Sequence, residues 1–147
     1  MRVLVVALLL GTEGCATTAV ELRPGRSVEI EHAFFANSYT QDGRVLKMDS
    51  LDFALATIPD TQSAHTRAKA ESTVGTILAI LGGSSIGYVG GAAAAGHTPD
   101  NAALYLGVGG GLAVAAICFA ILADASLATA VEQYNSAISR RNAERPM

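Results

Sequence analysis

Residues 73–96 read TVGTILAILGGSSIGYVGGAAAAG, residues 97–100 read HTPD, and residues 101–123 read NAALYLGVGGGLAVAAICFAILA. Two apolar blocks flank one short polar break. Within the whole stretch the only acidic or basic side chains are His97 and Asp100, both in the break. The blocks run over about 73–96 and 102–123, which as helix is about 33 to 36 Å each, enough to cross a hydrocarbon core of about 30 Å. The stretch therefore predicts two membrane-spanning helices joined by a tight turn. A buried soluble hairpin is the alternative, and it requires an oligomer or partner to cover two uncharged helices.

Small residues recur at intervals of four in both blocks. The first carries Ala79, Gly83, Gly87, Gly91 and Ala95, and the second carries Ala103, Gly107, Gly111 and Ala115. In lipid, helices gain nothing from hiding apolar surface from water, so close backbone approach at small residues supplies the attraction. Folding the chain antiparallel about Pro99 sets Gly83 against Ala115, Gly87 against Gly111, Gly91 against Gly107 and Ala95 against Ala103. The expectation is that these ladders zip the hairpin to itself, so that Gly87→Leu or Gly111→Leu splays it and Gly109→Leu does not. A second row, Gly109, Ala113, Ala116 and Ala120, then points elsewhere, as a face for self-association or as lipid-facing alanine.

The rest of the chain is organised around this element. The whole has 147 residues, of which 16% are charged and 5% aromatic, and a net charge of −3. That charge gives no electrostatic support to nucleic-acid binding. Residues 1–14 resemble a bacterial lipoprotein signal: Arg2, an apolar run over 3–10 too short to span a bilayer, and Gly14 before Cys15. Thr12 and Glu13 depart from the usual pattern. The resemblance implies lipidation of Cys15; an ordinary secretory signal or a buried N-terminal strand are the other readings. Cys118 lies inside an apolar block, so no disulfide between the two cysteines is expected.

Residues 15–26 form a linker ending in a turn at Arg23-Pro24-Gly25-Arg26. Over 27–60 a small β-hairpin and a short helix are expected. Val28, Ile30 and Phe34 alternate with Ser27, Glu29 and Glu31, with His32 in phase with the apolar face. Asp42-Gly43 is a type I′ turn signal. Asp49 or Ser50 is a capping candidate, Leu51, Leu55 and Ile58 form one helical face, and Pro59 ends the helix. From Asp60 or Thr61 a long helix runs unbroken into the first span, its Arg67, Lys69 and Glu71 a solvated face. Residues 61–138 thus make a long helical hairpin. Its exit carries a stripe of Leu127, Val131, Tyr134 and Ile138 able to pack on Leu51, Leu55 and Ile58. Residues 139–147 are a polar tail. The fold class is an α+β membrane protein with a C-terminal amphipathic helix.

Arg67, Lys69, Arg140, Arg141 and Arg145 lie outside the hairpin and the break has no cation. The positive-inside rule would keep both termini cytoplasmic, whereas a signal exports them. An outer-membrane lipoprotein escapes that conflict, and Ala16 after the cysteine favours outward sorting.

Residues 39–135 resemble a family of small, largely uncharacterised bacterial membrane proteins. The resemblance rests on Tyr39 with Asp42-Gly43, the short helix and proline from Leu51 to Pro59, Ala68-Lys69-Ala70, the glycine-rich hairpin, and the closing AVEQYN from Ala130 to Asn135. The break lacks the tryptophan that the family often has there. The resemblance implies an envelope-associated protein without an assigned reaction.

No constellation of residues carries a reaction. His97 and Asp100 alone do not make a metal site, Ser84-Ser85 has no base in reach, and no cofactor is expected. The expected role is a non-enzymatic, lipid-anchored structural or assembly component of the cell envelope, partnered by the bilayer and by its own copies or another envelope protein. An oligomeric pore is the alternative. Mass spectrometry of the mature N-terminus should find an acylated Cys15; an intact Met1 would instead keep the termini cytoplasmic.

Overall fold

The computed structural model describes residues 19–32 and 37–144. The signal, Cys15, Phe34 and Arg145 lie outside the described residues. Three short strands come first: β1 (Glu29–His32), β2 (Asn37–Gln41) and β3 (Arg44–Val45). Three helices follow: α1 (Met48–Thr57), α2 (Gln62–Ala94) and α3 (Ala102–Ala143), with a 3-10 turn over Pro59–Thr61 between the first two. The protein is therefore α+β. Helices α2 and α3 are both long and apolar enough to cross a membrane.

The strands form one antiparallel sheet in the order β1-β2-β3. Asp42 and Gly43 have φ of 53° and 71°, the two positive values that a type I′ turn demands. Ahead of the sheet, Val20 runs parallel beside β3, accepting from Lys47 N–H and donating to Val45 O, both at 2.9 Å. A sheet this small is marginal unless covered. Here Tyr39, Thr40 and Gln41 are all buried, so β2 is covered on both faces.

Two carboxamides tie the sheet region to its surroundings. Asn135 of α3 accepts from Val28 N–H at 2.8 Å and donates to Val28 O at 2.7 Å. Its side chain thus satisfies both backbone groups of Val28, as a neighbouring strand would. Gln41 accepts from Arg23 N–H at 2.7 Å and donates to the carbonyls of Arg23 and Arg26 at 3.2 Å, holding the 23–26 turn over the sheet.

The core joins this head to the helix pair. Val28, Tyr39 and Leu46 from the sheet meet Leu51, Leu55 and Ile58, and all pack with Ala130, Val131, Tyr134, Ala137 and Ile138 of α3. Leu127 is half-buried against the same cluster. Burying such side chains stabilises by about 1.5–3 kcal/mol each.

Local details differ from the sequence expectations. His32 is exposed, its Nδ1 2.7 Å from Asn37 Oδ1; it ends the edge strand, beyond the reach of the core. Helix α1 begins at Met48, so Asp49 and Ser50 fall in its first turn and neither caps it. Ser50 Oγ instead donates back to Lys47 O at 2.8 Å and accepts from Leu22 N–H at 3.2 Å. Thr61 does not cap α2 with its side chain. It turns back to donate to Leu55 O and, at 2.8 Å, to Ile58 O, closing the carbonyl end of α1. The tail is helical to Ala143, and Arg140 reaches Asp60 at 2.6 Å.

In an Asn135→Ala variant, Val28 should lose about 2–3 kcal/mol of local protection. Its amide exchange should then accelerate roughly a hundredfold. An unchanged rate would show that the sheet holds this backbone without the clamp.

Candidate functional site

The candidate site is the α2–α3 pair and the charged belt where it meets the head. At the far end, α2 stops in a Schellman motif. Gly96, at φ 80°, donates to Ala93 O and His97 N–H donates to Ala92 O, leaving a left-handed residue that glycine adopts without strain. The chain then turns through Pro99 and re-enters helix at Ala102.

The two helices run antiparallel and touch backbone to backbone. A Cβ on Gly82 would stand 2.8 Å from Gly109 O and 3.2 Å from Leu112 Cβ. A Cβ on Gly109 would stand 3.0 Å from Gly82 O and 2.9 Å from Ile86 Cγ1. A Cβ on Gly75 would meet Phe119 Cβ at 3.2 Å and Ala116 O at 3.4 Å. At Gly82 and Gly109, then, only glycine fits.

The buried residues have a period of seven. On α2, besides His65, which faces α1, they are Ala68, Gly75, Gly82 and Val89; on α3 they include Gly109, Ala116, Ala130 and Ala137, with half-buried Ala123 completing the series. This overturns the expected contact face. Ala79, Gly83, Gly87, Gly91, Ala95, Ala103, Gly107 and Gly111 are exposed, and Ala115 is half-buried. A Cβ at Gly83, Gly87, Gly91, Gly107 or Gly111 would meet nothing within 4 Å. The row set aside for self-association supplies the seam instead: Gly109 and Ala116 are buried and Ala113 half-buried, while Ala120 is exposed.

The reason is angular. Each residue turns an α-helix by about 100°, so a row spaced by four drifts about 40° per step, and the row from Ala79 to Ala95 swings about 160° around α2. A row spaced by seven drifts only about 20° per step, which a slight supercoil removes. A long straight contact therefore selects sevens over fours. The signal was present in the sequence as the comb Ala102, Gly109, Ala116, Ala123, Ala130 and Ala137.

Away from the seam the pair presents large apolar side chains outward, among them Ile77, Ile80, Leu81, Leu104, Val114, Ile117 and Ile121. Only 11% of the most apolar window of each helix is buried, unlike the core helix of a soluble domain. Hydroxyls on this surface are satisfied internally: Ser84 donates to Ile80 O at 2.6 Å and Ser85 to Leu81 O at 2.9 Å. Tyr88 and Tyr105 meet edge to face near the turn, with centroids 5.3 Å apart. Cys118 is a free, exposed thiol. His97 Nδ1 lies 3.0 Å from Ala95 O. Among the described residues, no three His, Cys, Asp or Glu side chains are placed to hold a metal.

The belt is more than a solvated face. Lys69 Nζ bonds Asp52 Oδ2 at 2.5 Å, and buried His65 bonds the other oxygen of the same carboxylate. Partial burial alone would raise the Asp52 pKa, but the hydrogen bonds from Lys69 and His65 outweigh it and hold the carboxyl below its usual range. Glu71 accepts from Ser126 Oγ at 2.7 Å, which ties α2 to α3, and from Arg67 Nε at 2.8 Å within α2; both bonds lower its pKa. Asp124 Oδ1 accepts from Asn37 N–H at 3.3 Å. Burial, with the Asp124 charge, pushes the Tyr39 phenol up to about 12.

No family model, curated protein or solved structure matches this chain.

Gly82→Leu and Gly109→Leu should each separate the helices, since a leucine there has to displace backbone atoms of the facing helix. Gly87→Leu and Gly111→Leu should leave the pair intact. Spin labels at Ile77 and Ile117 in a Cys118→Ser background measure the separation; equal effects from all four would sink the period-seven seam.

Proposed function

We propose that this chain is a non-enzymatic membrane protein of the bacterial envelope, a structural or assembly component whose head is held at the surface by a glycine-rich two-helix transmembrane hairpin. One observation carries this reading. Among the described residues, the exposed large apolar side chains all fall within 74–122, apart from Met48 and Phe53 on α1. A bilayer covers that surface without cost, whereas water does not.

The dimensions and charges support the same placement. The apolar part of α2, from Thr73 to its end at Ala94, is about 33 Å long and fits a hydrocarbon core of about 30 Å with some tilt. Arg67, Lys69, Glu71, Asp52 and Asp124 gather at the end nearer the head, where an interface belongs. Lipidation of Cys15 would add a second attachment through the buried methylenes of its acyl chains. Outward sorting to the outer membrane is the favoured location.

A second reading, self-association into an oligomer or pore, draws on the outward position of Gly83, Gly87, Gly91, Gly107 and Gly111. Because the seam does not use them, these small residues are free to approach a second copy.

Cys118 tests the placement. In intact membranes it should resist an impermeant maleimide and react only after detergent extraction, while Thr98→Cys and Ser139→Cys label from opposite sides. Labelling of Cys118 in intact membranes at the rate of Ser139→Cys would refute the spanning arrangement.

A further inference from the structure

Helix α1, the 21–25 segment and the end of α3 line a cleft of about 670 Å³. That volume falls within the range of small-molecule sites, roughly 300–1,000 Å³. Its walls are mostly apolar: Leu22, Pro24, Phe53, Ala54, Ile58 and Ile138. Phe53 is 75% exposed. A phenylalanine ring left this open to water, beside an apolar cleft and away from the apolar helix surface, is an unfilled contact.

The charges around the cleft are not symmetric. Lys47 lies 3.7 Å from Glu21 and is matched by it, and Asp49 adds a further acid near the start of α1. At the other end, Arg141 lines both this cleft and a neighbouring hollow with Ile58 and Pro59. Arg141 has no acidic partner among the described residues, whereas Arg140 is engaged by Asp60. An apolar trough with an unmatched guanidinium at one end and carboxylates at the other has a polarity. We propose that it binds a fatty-acid-like amphiphile, carboxylate on Arg141 and chain along Ile58, Ile138 and Phe53.

The sequence contains no tryptophan, so Phe53→Trp gives a single reporter in the cleft wall. The full chain carrying Phe53→Trp, in nanodiscs of zwitterionic lipid, is titrated with decanoate and with decyltrimethylammonium below their micelle concentrations. Decanoate should shift the emission to the blue saturably and at roughly tenfold lower concentration than the cation. Adding Arg141→Glu should reverse that preference, and Lys47→Gln should leave it in place. Should Arg141→Glu lose its helical circular dichroism, Arg141→Gln replaces it and should erase the preference. A decanoate response that is absent, unsaturable, equal to that of the cation or indifferent to both Arg141 variants would overturn the proposal. So would a shift produced only by an apolar peptide.

Discussion

At Gly82 and Gly109 two helix backbones come so near that a single methyl group has no place between them. That contact fixes the distance between α2 and α3, and most other features follow from the distance. With the axes so close, Glu71 of α2 can reach Ser126 of α3. Dispersion between tightly opposed backbones does not depend on expelling water. The contact therefore suits a stretch whose outer surface is as apolar as its inner one.

The head depends on the pair in turn. Its sheet has three strands and is too small to stand alone. Val131, Tyr134 and Ile138 give it a core, and the Asn135 amide stands in for a missing strand at Val28. Head and helices thus share one packed unit, with α3 as the common member. The belt lies where the two parts join, and its carboxylates there have hydrogen-bond donors in place of open water.

Much of this was legible from residue pattern. The Asp42-Gly43 turn, the Leu51, Leu55 and Ile58 face, the match of that face to Val131, Tyr134 and Ile138, and the unbroken run from Gln62 into the apolar block all follow from local periodicity. The seam was misread because glycine is abundant enough to offer several periods at once, and the period of four is the more conspicuous. Which period wins is decided by helix geometry over many turns, and so by the length of the contact. Asn135, Gln41 and Thr61 were missed for another reason. Each bonds to backbone 6 to 107 residues away, and a side-chain amide or hydroxyl gives no sign in sequence of which backbone group it will meet.

The comb of small residues runs without interruption from Gly109 through Ala123 to Ala130 and Ala137, out of the apolar stretch and into the head. One seam therefore serves both regions, and this restricts how the chain can change length. Inserting one residue between Gly109 and Ala130 would rotate everything beyond it by about 100°. Asn135 would swing away from Val28, and Val131 away from Leu51 and Leu55. Seven residues, added to both helices, restore the phase. The thickness the pair can cross is thus available only in steps of about 10 Å, a graduated scale and not a continuous one.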